Sequence, residues 1–192
     1  MIDPGKLIII SAPSGSGKTT LARHLLSVIP GLQFSVSATT RARRSHEVEG
    51  RDYLFLSTDQ FIELQQKSAF LEWEEVYSGI FYGTLKASVD ECLKSGVSLV
   101  FDVDVQGALN IKKLYGEQAL SVYVDAGGIE ILEQRLRARN TETEERLRLR
   151  LKKATIEAKM AHLFDYIQVN TDLNEACEQL TNRVRSFLSI PL

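Results

Sequence analysis

One stretch limits what this chain can fold into more than any other. Four apolar residues, Leu7–Ile10, lead into Ser14-Gly15-Ser16-Gly17-Lys18-Thr19, and a run with Leu21, Leu25 and Ile29 on one helical face follows at once. A short apolar run without polar alternation predicts a strand buried on both faces, which belongs in a parallel sheet covered by helices. Glycines between such a strand and a helix let successive backbone N–H groups converge on one point, where the helix N-terminus adds partial positive charge. Strand, glycines, Lys-Thr and helix, in that order, predict a phosphate-binding loop. Lys18 then reaches β- and γ-phosphates, and the Thr19 hydroxyl is available to Mg²⁺. One departure from the general pattern is Ala12, which takes the place of the first glycine.

The alternation continues along the chain. Lys6–Ser11, Phe34–Ala38, Tyr53–Leu56, Phe70–Tyr77, Ser98–Phe101, Leu120–Val124 and Tyr166–Val169 read as strands. Lys18–Ile29, Lys86–Lys94 and Gly107–Tyr115 read as helices, as does the stretch marked by Ile129, Leu132 and Leu136. Ser57 with Gln60, and Thr141 with Glu144, have capping-box spacing; the second opens a long helix toward Ala161. Leu173, Ala176, Cys177, Leu180, Val184 and Phe187 stripe a last helix. The predicted fold class is α/β, with a parallel core sheet flanked by helices. From about Phe34 to Thr84 the rhythm breaks, which predicts an inserted, largely antiparallel lobe.

With 192 residues, the chain fits one domain with a core of its own. A net charge of -2 gives no reason to expect nucleic acid or an anionic membrane as partner. Cys92 and Cys177 are too few for a disulfide framework and lack metal-site spacing, so they read as small core residues in a reducing compartment. The apolar run at Leu7–Ile10 is too short for a signal core or a membrane helix, which points to a cytoplasmic protein. His24, His46 and His162 are scattered and read as surface or structural residues.

Two further features carry chemistry. Asp102 ends an apolar strand, where ligands of open parallel sheets bind, and a carboxylate there holds Mg²⁺ directly or through water. Arginines form two clusters: Arg41, Arg43 and Arg44, then Arg135, Arg137, Arg139, Arg146, Arg148 and Arg150. Phosphoryl transfer between two anions needs such neutralisation, and the planar guanidinium fork suits phosphate oxygens.

At this point a family becomes recognisable. Ser35-Val36-Ser37-Ala38-Thr39-Thr40-Arg41, followed by Arg44, Glu47, Gly50, Asp52 and Tyr53, resembles the GMP-binding signature of guanylate kinases. Ser11–Lys18 resembles that family's phosphate loop, in which alanine at position 12 is tolerated. Phe70–Trp73, Tyr82–Thr84, Asp102–Gly107, Arg135–Arg139 and Val169-Asn170 match further landmarks in order. The resemblance covers roughly residues 6 to 188. Departures are Arg43 for proline, His46 and Asn140 for glycine, and Phe81 for tyrosine.

The resemblance implies a core of residues 1–33, 86–134 and 153–192, a GMP-binding lobe over 34–85 and a helical lid over 135–152. It implies ATP and GMP as substrates with Mg²⁺ as cofactor, and leaves the oligomeric state open. Ala12, Pro13, Ser14, Gly15, Ser16, Gly17, Lys18 and Thr19 would hold ATP phosphates, with Asn170 near the adenine end. Arg41, Arg44 and Tyr53 would grip the GMP phosphate. Ser37, Glu72, Thr84 and Asp104 would read guanine, and Tyr82 would complete the pocket. Arg135, Arg139 and Arg150, with Lys18 and Arg41, would meet the transferring group, and Thr19 and Asp102 the metal. Chemistry supports Glu72 independently: a carboxylate accepts both the N1–H and the 2-amino group of guanine. Two alternatives stay open: a kinase for AMP, UMP or dTMP, and a binding module that has lost the chemistry. Glu72 and Thr84 oppose the first, and the intact Gly15, Gly17, Lys18 and Thr19 oppose the second.

Overall fold

The computed structural model describes residues 3–138 and 143–190, so Arg139, Asn140 and Thr141 lie outside the described residues. In chain order the first half contains β1 (Leu7–Ser11), α1 (Lys18–Val28), β2 (Gln33–Phe34), β3 (Ala38–Thr39), β4 (Leu54–Phe55), α2 (Thr58–Gln66), β5 (Phe70–Tyr77), β6 (Ile80–Leu85) and α3 (Lys86–Lys94). The second half contains β7 (Leu99–Val103), α4 (Val105–Tyr115), β8 (Ala119–Asp125), α5 (Ile129–Ala138), α6 (Glu144–Ala158), β9 (Tyr166–Val169) and α7 (Leu173–Leu188).

Burial on both faces explains the unbroken apolar run of β1. Ile8 and Ile10 pack with Leu21, Leu25, Leu180 and Val184 on the side covered by α1 and α7. Leu7 and Ile9 pack with Val89, Leu93, Ile111 and Phe164 on the side covered by α3 and α4. Each fully buried aliphatic side chain contributes about 1.5–3 kcal/mol, so one strand supports both layers of the core. The sheet is parallel and five-stranded, in the order β2-β7-β1-β8-β9. Its register sets Ile10 beside Asp102 and Ser11 beside Val103, which brings the Asp102 strand end against the glycine loop.

A second sheet has four strands in the order β4-β3-β6-β5. It is mixed: β3 runs parallel to β4, while the β3–β6 and β5–β6 pairs are antiparallel. The stretch expected to be one strand, Phe34–Ala38, is divided between the sheets, with Phe34 in β2 and Ala38 in β3. Apolar residues at 34, 36 and 38 mimic one period-2 strand, and only the pairing partners separate the two. β6 was not anticipated. Gly83 interrupts its β-forming pattern, yet a Cβ there would meet the Glu72 carbonyl oxygen and the Trp73 Cβ at 2.9 Å each, so close strand pairing requires the glycine.

Helix ends follow local chemistry. Ser57 and Gln60 form both bonds of the capping box at α2. Ser57→Ala is expected to lower stability by about 1 kcal/mol, seen as a lower urea midpoint at unchanged slope. The cap of α6 is Thr143, whose side chain accepts from the Arg146 N–H, while the expected Thr141 lies outside the described residues, and the helix ends at Ala158 rather than near Ala161. Asp104 caps α4, which therefore starts two residues earlier than Gly107.

Candidate active site

The glycine loop curls over the C-terminal end of β1. Gly15 and Gly17 have φ of 95° and 94°, a region costly for other residues. A Cβ at Gly17 would also lie 2.2 Å from the Asn170 Nδ2. Asn170 is buried, and its amide donates to the Ser16 carbonyl at 2.7 Å, bracing the loop from beneath. Lys18 Nζ lies 2.7 Å from Asp102 Oδ1, and the Thr19 hydroxyl donates to Asp102 Oδ2 at 2.6 Å. From α6, Arg150 donates to the Ser14 hydroxyl at 2.5 Å. Ser14, Gly15, Gly17, Lys18, Thr19 and Arg150 border a cavity of about 360 Å³, to which Asp104, Lys153 and Glu157 also contribute.

A second cleft, about 770 Å³, opens between the two sheets and shares Thr19 and Asp104 with the first. Ser37, Tyr53, Glu72 and Tyr82 line it. The Thr84 hydroxyl donates to Glu72 Oε1 at 2.6 Å. Burial pushes the Glu72 carboxyl above the usual range; Asp104 and Glu74 repel it further, while the Thr84 bond acts the other way. Arg41 makes a bidentate pair with Glu47, at 2.7 Å and 3.0 Å, and its Nε donates to the Tyr82 hydroxyl at 3.2 Å. Its guanidinium lies 5.4 Å from the Tyr53 ring centroid. Arg44 is exposed and meets Glu47 through its backbone N–H.

Arg41, helped by the Arg44 N–H, holds the Glu47 carboxyl down at about 2, below its ordinary 4.5. A depressed folded-state value adds stability that is full above 4.5 and is lost as pH falls through about 2. In urea denaturation, the advantage of the parent chain over Glu47→Gln should therefore be largest at neutral pH. It should shrink through the acid range and vanish near pH 2.

Several residues stand differently from expectation. Arg135 donates to the Asn170 carbonyl at 2.7 Å, and Asn170 itself supports the loop. Arg137 pairs with Glu133 and Glu144, away from the cavities. His46 lines the second cleft, whereas His24 meets Thr181 and His162 the Lys159 carbonyl. Arg139 lies outside the described residues. Sequence reasoning missed Lys153 and Glu157. Their positions at three and seven residues beyond Arg150 put all three on one face of α6, and that spacing was the available signal.

A parallel core sheet, a glycine loop feeding a helix, and a Lys-Thr-Asp cluster facing a second polar cleft define an α/β transferase of the nucleotide-binding class. The guanylate kinase family model matches residues 4–187. The chain is 42% identical over 191 residues to a guanylate kinase of Chlorobaculum tepidum, covering 100% of this chain and 97% of that protein. It is 48% identical over 183 residues to one from Anaeromyxobacter dehalogenans, covering 95% and 80% respectively. A crystal structure of guanylate kinase from Anaplasma phagocytophilum superposes with a TM-score of 0.72 at 30% identity, covering 96% of this chain and 86% of that one. The chain belongs to the guanylate kinase family.

Proposed function

We propose that the two clefts bring ATP and GMP face to face, and that the observation carrying this reading is their meeting at Thr19 and Asp104. The chain is an ATP:GMP phosphotransferase, giving ADP and GDP. Residues 12–19, through the backbone N–H groups that all of them except Pro13 carry, and the Lys18 ammonium hold the ATP phosphates. Arg41, Arg44 and Tyr53 take the GMP phosphate, and Ser37, Glu72, Thr84 and Asp104, with Tyr82, surround the base. Arg150, already at the loop, and Arg135 and Arg139 neutralise charge on the transferring group.

The GMP phosphate is already an anionic nucleophile, so no side chain need act as a strong base. Positioning and charge stabilisation then supply the rate, with turnover of roughly 1–100 per second. Thr19 and Asp102 offer hydrogen-bonded oxygen donors beside the loop, which fits Mg²⁺, an ion that takes one or two protein oxygens with substrate phosphates and water. They would hold the ion directly or through water, and once bound it neutralises charge on the β- and γ-phosphates.

We divide the chain into a core, a GMP-binding lobe over 34–85, which holds the whole second sheet and takes its first residue from the end of β2, and a lid over 135–152, which spans the end of α5 and the first part of α6. A cytoplasmic location suits the two free cysteines, and no helix among the described residues is long and apolar enough to cross a membrane. The test is ADP formation from ATP with GMP, AMP, UMP or dTMP, with and without Mg²⁺. Transfer to GMP alone, dependent on Mg²⁺, is expected. Absence of GMP phosphorylation would end this reading.

A further inference from the structure

Lys153 links three separate parts of the molecule. It projects from α6 three residues beyond Arg150 and lines the donor cavity with Arg150 and Lys18. Its ammonium lies 3.6 Å from Glu74 on β5, 3.9 Å from Asp104 at the start of α4 and 3.7 Å from Glu157 on its own helix. One cation therefore joins the second sheet, the core and the helix that presents Arg150 to the glycine loop. The distances are loose and Lys153 is exposed, so it acts as a shared counter-charge whose strength depends on how much water surrounds it.

Guanine would change that surrounding. Seated against Glu72 and Asp104, a purine excludes water from the carboxylates beside Lys153. Lower local dielectric then strengthens the attraction of Lys153 to Glu74 and Asp104. Because α6 is an unbroken helix from Glu144 to Ala158, drawing Lys153 inward carries Arg150 with it. Glu157 belongs to the same balance: burial raises its carboxyl and Lys153 offsets part of that.

We propose that Lys153 is a positioning residue that couples acceptor binding to donor binding, tying α6 to the base-reading cleft so that GMP occupancy sets Arg150 against the ATP phosphates. This rests on the assignment of the two clefts given above. Linkage then requires each ligand to raise the affinity of the other by the same factor.

Calorimetry with β,γ-imido ATP and Mg²⁺, with and without saturating GMP, measures that factor. In the parent protein it should be on the order of fivefold to tenfold, the low end of typical coupling. It should fall to near one in Lys153→Met and be largely kept in Lys153→Arg. Glu74→Gln should reduce it, and adding that change to Lys153→Met should reduce it no further. A factor of one in the parent protein, an unchanged factor in Lys153→Met, or equal loss in Lys153→Arg each overturns the proposal. A shift in Tm with the factor unchanged would mean Lys153 is only structural, which also overturns it. The two readings fail separately. A parent protein that does not phosphorylate GMP sinks the assignment of the clefts, whereas normal turnover with a factor insensitive to Lys153 sinks only the coupling.

Discussion

Lys18→Ala should abolish phosphoryl transfer, lowering kcat by at least roughly a hundredfold, the scale on which loss of one charge-stabilising donor acts, while GMP binding persists. The geometry sets this split. Lys18 lines the cavity at the glycine loop and pairs with Asp102 at 2.7 Å, whereas Glu72 and Thr84, which we propose read the base, meet across the second sheet. Removing the ammonium takes away a positive charge that the ATP phosphates would meet and leaves Asp102 facing them. Asp102 keeps its bond from Thr19, so the loop has a remaining anchor. Steady-state turnover and a GMP titration of the same variant check both halves. Normal turnover would remove the glycine loop from the mechanism.

Glu72→Gln should cut kcat/KM for GMP by roughly a hundredfold or more. The ionised carboxylate offers two acceptor oxygens to the two adjacent donors of guanine, whereas an amide offers one acceptor and turns one donor against a donor. Thr84 can still donate to the remaining oxygen, so the fold should tolerate the change. The parent protein adds a pH signature. Burial raises the Glu72 carboxyl, and its ionised form is the one that accepts both donors. KM for GMP should therefore begin to climb, as pH falls, above the 4.5 of an ordinary glutamate, and the glutamine variant should lack that rise. Unchanged GMP affinity in Glu72→Gln would place base reading elsewhere.

Much of the glycine-loop side was legible because its signal is local. Leu7–Ile10, Gly15, Gly17, Lys18 and Thr19 are contiguous, and a strand-to-helix turn can place them in only a few ways. Asp102 was legible from its place at the end of an apolar run. The bracing of the loop by Asn170 was not, because its amide crosses from residue 170 to the carbonyl of residue 16. The bond from Arg135 to the Asn170 backbone was hidden for the same reason. β6 escaped because Gly83, unfavourable for a strand in isolation, is what the close approach of Glu72 and Trp73 requires.

By itself the sequence determined the helix-covered parallel sheet and the glycine loop, because periodicity, turn chemistry and contiguous motifs act over a few residues. Only the tertiary structure decided that Phe34 and Ala38 part into different sheets, that Glu47 holds Arg41, and that Lys153 lies between Glu74 and Asp104. Those outcomes depend on which strand edges pair and on where opposite charges from separate elements come to rest. No local preference of the backbone encodes either.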